Sequence, residues 1–364
     1  MQHISHRVSA LSVSETLAMS QRSAELKAQG IDVINLSVGE PDFNTPAHIK
    51  HAAQQAIDLN FSFYSPVPGY VELRRAICEK LSRENGLTYE PANIVVSNGA
   101  KQSVCNLLLA LVNQGDEVII PAPYWVSYPE MVKLAQGVPV SIYGGINQDF
   151  KITPAQLEAA ITPRTRVFIL CSPSNPTGSV YSREELQDLA NVLAKYPQIT
   201  IIADEIYEHI NYVGHHESIA QFENVRNNVV IVNGVSKGYA MTGWRIGWIA
   251  APKEIAAACT KLQGQYTSGA SSIAQKAAEA AYLGDQSCVE TMRLAFERRR
   301  NLVVDLASNI NGLQLNNPQG AFYIFPECKS FFGKKLGNTI IENAVDLSMY
   351  LLEEGHVACV AGNA

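Results

Sequence analysis

The chain has 364 residues, of which 47% are apolar and 17% charged, and a formal net charge of −6. That length suggests roughly two domains with a large core, and the acidic balance excludes any general attraction to nucleic acid or anionic membranes. The seven cysteines, Cys78, Cys105, Cys171, Cys259, Cys288, Cys328 and Cys359, are scattered, odd in number and free of C-x-x-C spacing, which reads as buried thiols in a reducing compartment rather than disulfides or zinc ligands. The N-terminal MQHISHRVSA has no apolar h-region and no apolar run reaches membrane-spanning length, so a cytoplasmic protein is expected.

A helical pattern runs from Ser14 to Gln29 and stops at Gly30. Ser37 to Pro46 is a loop dense in Gly, Pro, Asn and Asp. It ends in Thr45-Pro46, which reads as a helix start with Thr45 as N-cap and Pro46 in the first helical position. Tyr64 to Arg74, YSPVPGYVELR, is a second turn and helix entry. Leu73, Ile77 and Leu81 then form a buried stripe, and Gly86 closes the helix. From Asn93 onward, apolar runs at Ile94–Val96, Val118–Ile120, Val167–Leu170, Ile199–Ala203 and Val229–Val232 alternate with helical segments. One of these opens with a capping box at Ser182 and Glu185. The alternation predicts an α/β fold with a mostly parallel central sheet and helices on both faces. Such sheets bind ligands at the C-terminal ends of their strands.

Chemistry-bearing residues follow each run. Ser97-Asn98-Gly99-Ala100-Lys101-Gln102 opens a helix through a glycine, the backbone arrangement that cradles phosphate. Pro121 to Trp125 offers an indole able to stack on a flat ring. Cys171 to Gly178 is a rigid turn presenting the amide of Asn175, and Asp204-Glu205-Ile206-Tyr207 supplies a carboxylate and a phenol. Each has a plainer reading: a turn at Asn98-Gly99, a core Trp125, a helix N-cap at Asp204, an ordinary buried phenol at Tyr207. The set at one sheet edge is what calls for a common explanation.

The stretch Asn228 to Ala250, NVVIVNGVSKGYAMTGWRIGWIA, places Ser236 and Lys237 between two apolar runs. A lysine there costs free energy unless its charge is used or its pKa falls. A desolvated lysine near other cations attacks carbonyls and forms imines. Arg245, eight residues on, adds a fixed charge suited to a phosphate. An aldehyde joined to a phosphate is pyridoxal 5′-phosphate (PLP). Its ring draws electrons best with the pyridine nitrogen protonated against a carboxylate, here Asp204, while Asn175 and Tyr207 can donate to its phenolate oxygen. The lysine, once displaced by a substrate amine, can carry a proton as base and then acid.

The motifs S-N-P-T-G, D-E-I-Y, S-K-x-x-x-M-T-G-W-R-I-G-W, G-E-P-D-F and Y-x-P-x-x-G-Y-x-E-L-R resemble those of class I/II aminotransferases of PLP fold type I, in the branch of the bacterial aspartate and aspartate/prephenate enzymes. The resemblance runs from about Val8 to the last residue. It implies that Lys237 is the lysine bonded to PLP, that Asp204 pairs with the pyridine nitrogen, and that Tyr207 and Asn175 meet the ring oxygen. By the same resemblance Trp125 stacks on the ring, and Gly99, Ala100, Lys101, Ser236 and Arg245 hold the phosphate. Tyr64 reaches the phosphate of a neighbouring subunit, which implies a homodimer with shared sites. Gly39, Trp125 and Asn175 contact substrate. No metal is implied.

The implied activity moves an amino group between an amino acid, aspartate first, and a 2-oxo acid, 2-oxoglutarate. Aromatic or alanine aminotransfer, β-lyase or decarboxylase chemistry on the same fold are the alternatives. A regulatory protein on this fold would carry a fused DNA-binding module, for which there is no helix-turn-helix extension or basic stretch. A nicotinamide dehydrogenase is set aside because no G-x-G-x-x-G follows a strand. The expected division is a large α/β domain at about 45–290 and a smaller α+β domain from 1–44 and 291–364. Family members continue beyond the counterpart of VACVAGNA with a strand bearing an arginine for the substrate α-carboxylate. This chain stops at Ala364, so a native product carrying such a strand is expected. Arg298-Arg299-Arg300 reads as a solvated helix face.

Overall fold

A computed structural model describes residues 3–12, 15–337 and 339–364. Its centre is a seven-stranded sheet of Ile94–Ser97 (β1), Glu117–Ala122 (β2), Val138–Tyr143 (β3), Thr165–Cys171 (β4), Thr200–Asp204 (β5), Val229–Gly234 (β6) and Gly247–Ala250 (β7), in the spatial order β1-β7-β6-β5-β4-β2-β3. All five alternating runs become strands, and the apolar run that follows Arg245 becomes β7. β7 alone runs antiparallel, between β1 and β6. β3 has no counterpart among the expected runs. It is an edge strand with Pro139 inside it and most of its side chains only partly covered, so its apolar signal is weak.

Alternate residues of each strand feed two cores, the period-2 pattern of a sheet covered on both faces. On one face Ile94, Val96, Phe168, Leu170, Ile201 and Ile231 pack with Leu73, Ile77 and Leu81, the expected stripe of helix Val71–Asn85. On the other face Val95, Val118, Ile169, Ile202 and Val230 pack with Leu107 and Leu108 of helix Ala100–Leu111 and with Met131 and Val132 of helix Ser127–Leu134. Helix Val71–Asn85 ends at Gly86, φ +65°, where a left-handed backbone suits glycine. The capping box at Ser182 forms as expected.

Strand register aligns the functional edge. Cys171 of β4 lies opposite Asp204 of β5, and Asp204 lies opposite Val232 of β6. Gly247 of β7 faces Ser97 of β1 on one side and Gly234 of β6 on the other. The segments after β1, β4, β5 and β6 therefore leave the sheet side by side.

Four local expectations change. The helix expected from Ser14 to Gln29 spans Glu15–Ala28, and Ser14 lies outside the described residues. The next helix is Ala47–Asp58 with Pro46 as its N-cap residue. Thr45 does not cap it, because its hydroxyl donates to the Ala240 carbonyl at 2.7 Å and accepts from the Trp244 indole at 3.0 Å. The seven cysteines are unpaired, but only Cys259 is fully buried. The arginine run is not a uniformly solvated face: Arg300 lies over the Tyr212 ring, 4.7 Å from its centroid, and donates to the Pro318 carbonyl, while Arg299 pairs with Asp42 at 2.8 Å.

Near the end of the chain Ile34–Asn35 pairs in parallel with Val357–Ala358, tying the N-terminal segment to the C-terminal one. Among the described residues no helix is long and apolar enough to cross a membrane.

Candidate active site

Lys237 follows β6 and is half-buried. Its ammonium donates to the Gly39 carbonyl at 2.5 Å and lies 5.7 Å from the Tyr207 ring centroid and 5.5 Å from that of Phe322. Burial pulls its pKa down to about 8, aided by the Arg245 charge and opposed by Glu40 and Asp204. A useful fraction is then free amine near neutral pH, the state needed for attack on a carbonyl.

Asp204 ends β5 and is buried. Its Oδ2 accepts from the Tyr128 hydroxyl at 2.6 Å and its Oδ1 from the Ile206 N–H at 3.3 Å. Burial lifts its carboxyl to about 6, against the opposing pull of those two donors and of Lys237. Asp204 caps no helix, since the chain turns directly into Tyr207. The Tyr207 and Tyr323 hydroxyls are 2.6 Å apart, and the Asn175 amide donates to them at 3.4 and 3.3 Å. Burial first, and then Tyr323, raise the Tyr207 phenol well above its ordinary value, so it stays a neutral hydrogen-bond donor.

The anion cradle is built from backbone. Gly99, φ +83°, precedes the helix Ala100–Leu111 without any side-chain cap, and the Gln102 N–H already bonds the Gly99 carbonyl at 3.0 Å, so the N–H groups of Ala100 and Lys101 are the ones left without an intrahelical acceptor. A Cβ on Gly99 would lie 2.3 Å from an Arg245 guanidinium nitrogen, and one on Gly247 would lie 2.1 Å from the Ala100 nitrogen. Only glycine lets the guanidinium, the helix start and β7 converge. Arg245 is itself held by the Thr242 carbonyl at 2.8 Å and the Asn98 carbonyl at 3.4 Å. Ser236 is buried beside Lys237 in sequence. Trp125 packs edge-on against Tyr128, centroids 5.4 Å apart, with the exposed Lys101 ammonium 5.1 Å from its ring centroid. These features fit PLP: a cradle that a Cβ would fill, cations beside it for a phosphate, an amine, and a buried carboxylate for a ring nitrogen.

Of the residues singled out in the sequence, Lys237, Gly39, Asn175 and Tyr207 are joined by direct contacts or through Tyr323, and Gly99, Ala100 and Arg245 converge. Trp125 joins Asp204 through Tyr128. Tyr64 is 97% exposed and stands out from the surface. Sequence reading missed Tyr128 and Tyr323. Tyr128 lies in the first turn of helix Ser127–Leu134, three residues after Trp125, and no local pattern marked it. Tyr323 follows Gly320-Ala321-Phe322 in a stretch with no strand pattern.

The turn after β5 is two-sided. Asp204 and Tyr207 face the site, while Glu205 and Glu208 enter a second buried network. Glu208 pairs with the fully buried Lys80 and accepts from Asn233 at 2.7 Å and Asn85 at 3.1 Å. Lys80 also donates to Asn85 at 2.8 Å and lies 3.5 Å from Glu84. Glu205 accepts from Ser218 at 2.5 Å and faces His216 at 3.2 Å. The network clamps the turn from behind to the helix Val71–Asn85 and to β6.

Fold and site together define a PLP-dependent enzyme of the mostly parallel α/β type. The family model for aminotransferase class I and II matches residues 31–364. The aspartate/prephenate aminotransferase of Cereibacter sphaeroides is 49% identical over 367 residues, covering 100% of this chain and 92% of that protein. The bifunctional aspartate aminotransferase and glutamate/aspartate-prephenate aminotransferase of Petunia hybrida is 47% identical, covering 99% and 76%. Among solved structures, the aspartate aminotransferase of Rhizobium meliloti superposes with a TM-score of 0.96 at 44% identity, and that of Thermus thermophilus with maleate with 0.93 at 39%; each comparison covers 100% of this chain and 92% of the other. The chain belongs to the class I and II aminotransferases, and it is a transaminase of the aspartate aminotransferase type.

Proposed function

We propose that the protein moves the amino group of aspartate to 2-oxoglutarate, with PLP held on Lys237. The observation that carries this reading is the half-buried Lys237 amine, its pKa drawn down to about 8, beside Tyr207 and in the field of Asp204 and Arg245. PLP supplies the electron sink for loss of the substrate Cα proton. The chain's own residues do the rest. Asp204 would hold a proton on the ring nitrogen, Tyr207 and Asn175 would donate to the ring oxygen, and Trp125 would lie against the ring. The N–H groups of Ala100 and Lys101, with Ser236 and Arg245, bind the phosphate. The Lys237 amine, freed by the substrate, would take the Cα proton as a base and then serve as an acid. Gly39, Asn175 and Trp125 border the substrate.

The acidic preference draws support from the names of the relatives and from the maleate, a dicarboxylate, in the Thermus thermophilus structure. Lys101 is the cation on the open side of Trp125 suited to a distal carboxylate. Native holoprotein mixed with aspartate alone should release about one oxaloacetate per site and leave the cofactor in its amine form, faster than with phenylalanine or alanine. Borohydride should fix the cofactor to the peptide containing Lys237. A label on another peptide, or decarboxylation or elimination in place of amino transfer, would overturn the reading.

The reading includes a homodimer. Leu59, Phe63 and Tyr64 are 70, 79 and 97% exposed and unsuited to water as a group. Tyr64 is proposed to donate to the phosphate in the partner's site. Sedimentation should give twice the 39.7 kDa chain mass, and Tyr64→Phe should loosen PLP by about tenfold, the worth of one hydrogen bond to a charged group. A monomer of full activity, or unchanged PLP retention, would refute the shared site.

A further inference from the structure

We infer that Tyr323 is a positioning residue of this site: its hydroxyl donates to Tyr207, leaving the Tyr207 proton for the cofactor, and its ring braces Gly39 under the Lys237 amine. The inference rests on the reading of Lys237 as the lysine that holds PLP.

Three observations carry it. The first is the hydrogen-bond count. The Asn175 amide donates to both phenol oxygens, and those oxygens are 2.6 Å apart. One hydroxyl proton lies between them and the other is free to point elsewhere. The second observation decides which. A Cβ built on Gly39 would lie 2.4 Å from the Tyr323 oxygen, so a methylene with no lone pair walls that side of Tyr323. Among the described residues Tyr323 thus has no acceptor on that side other than the Tyr207 oxygen, while the Tyr207 ring lies 5.7 Å from the Lys237 ammonium, along the cleft where the cofactor is proposed to sit. The Tyr323 proton therefore goes to Tyr207, and a phenol that accepts one hydrogen bond becomes a stronger donor in the next. The third is the anchoring of the segment. Ala321, fully buried, has φ +55°, a left-handed conformation that is unfavourable for an alanine. It is held there by its N–H on the Ile210 carbonyl at 2.7 Å and by the Tyr212 hydroxyl on its own carbonyl. The strained residue sits two positions before Tyr323 and locks it against the turn that carries Tyr207. Gly39 completes the ring of contacts, since the carbonyl of the residue that Tyr323 braces is the acceptor for Lys237. Lys237, Asp204 and Cys171 are the other titratable groups facing the two phenols.

The test is a pH titration of the visible band of the holoprotein. A donor on the cofactor's ring oxygen favours the form in which that oxygen is charged, so losing it raises the titration midpoint. Tyr207→Phe should raise the midpoint by about one pH unit and Tyr323→Phe by about half as much, in the same direction. The double variant should titrate like Tyr207→Phe alone, because the effect of Tyr323 passes through Tyr207. Gly39→Ala keeps the hydroxyl but displaces it, and should also raise the midpoint, which secures the test should Tyr323→Phe fold poorly. An unchanged or lowered midpoint in Tyr323→Phe or Gly39→Ala, or additive shifts in the double variant, would overturn the inference. Borohydride labelling of each variant separates the two readings: a label on Lys237 with an unmoved midpoint rejects the role of Tyr323, and a label elsewhere rejects the role of Lys237.

Discussion

Asp204→Asn is expected to lose on the order of a thousandfold in turnover while the folded protein without cofactor becomes more stable above pH 6. The loss follows from charge. The asparagine can keep the hydrogen bond from Tyr128, but it cannot balance a protonated ring nitrogen, and preorganised electrostatic partners in dry sites are worth about 3–4 kcal/mol. The gain follows from linkage. Burial raises the Asp204 carboxyl to about 6, above its ordinary 3.8. Between those values the native state holds a proton that the unfolded chain has released, so stability falls as pH rises, and above about 6 the full cost is present. A two-unit shift of a fully buried group corresponds to roughly 2–3 kcal/mol. Denaturant unfolding of the cofactor-free forms from pH 4 to 8 should show the variant overtaking the parent, and single-turnover assay should show the lost rate. Near-normal turnover, or parallel stability curves, would refute the account. On the proposed reading, the expensive carboxylate is tolerated because the bound ring uses it.

Lys80→Met should carry the largest stability loss of any single change behind the site, about 3–5 kcal/mol, because it leaves the buried Glu208 without its cation. Burial by itself pushes the Glu208 carboxyl up. The Lys80 ammonium, with His209 and His216, outweighs that and holds it well below the ordinary carboxylate range. A depressed carboxyl stabilises the fold above its unfolded-state value and loses that contribution as pH falls through its folded-state value. In Lys80→Met burial is less opposed, the carboxyl rises, and protonation relieves it. The deficit relative to the parent should therefore be widest near pH 7 and shrink toward pH 5. A constant deficit across that range would mean that lost packing, not the stranded charge, sets the cost.

The residues at the sheet edge were legible because each directly follows an apolar run, and a parallel sheet places the ends of such runs together whatever the helices between them do. Lys237, Asp204, Asn175 and Gly99 needed no long-range knowledge. Tyr128 and Tyr323 did. Their partners lie 76 residues away for Tyr128, and 116 and 148 away for Tyr323, and nothing local marks a phenol whose role is set by another segment. The same limit explains Thr45, whose local pattern promised a cap while its hydroxyl went to Ala240. It explains Arg300 too, which is drawn onto Tyr212. β3 escaped for a different reason: with Pro139 inside and water on one side, its sequence lacks the buried-strand signature.

The ring of contacts that joins Gly39, Asn175, Tyr207, Lys237 and Tyr323 has a consequence for how the molecule comes into being. A ribosome delivers these residues over almost the whole length of the chain, and Lys237 reaches back 198 positions for its acceptor. The strands of the sheet are all present once Ala250 has been made, so a nascent chain can condense around its core while Tyr323 is still unsynthesised. Until then Tyr207 lacks the Tyr323 hydroxyl as a partner. On the proposed roles of these residues, the contacts that set the cofactor's working geometry are completed only by the segment around Tyr323, which follows the scaffold in the chain.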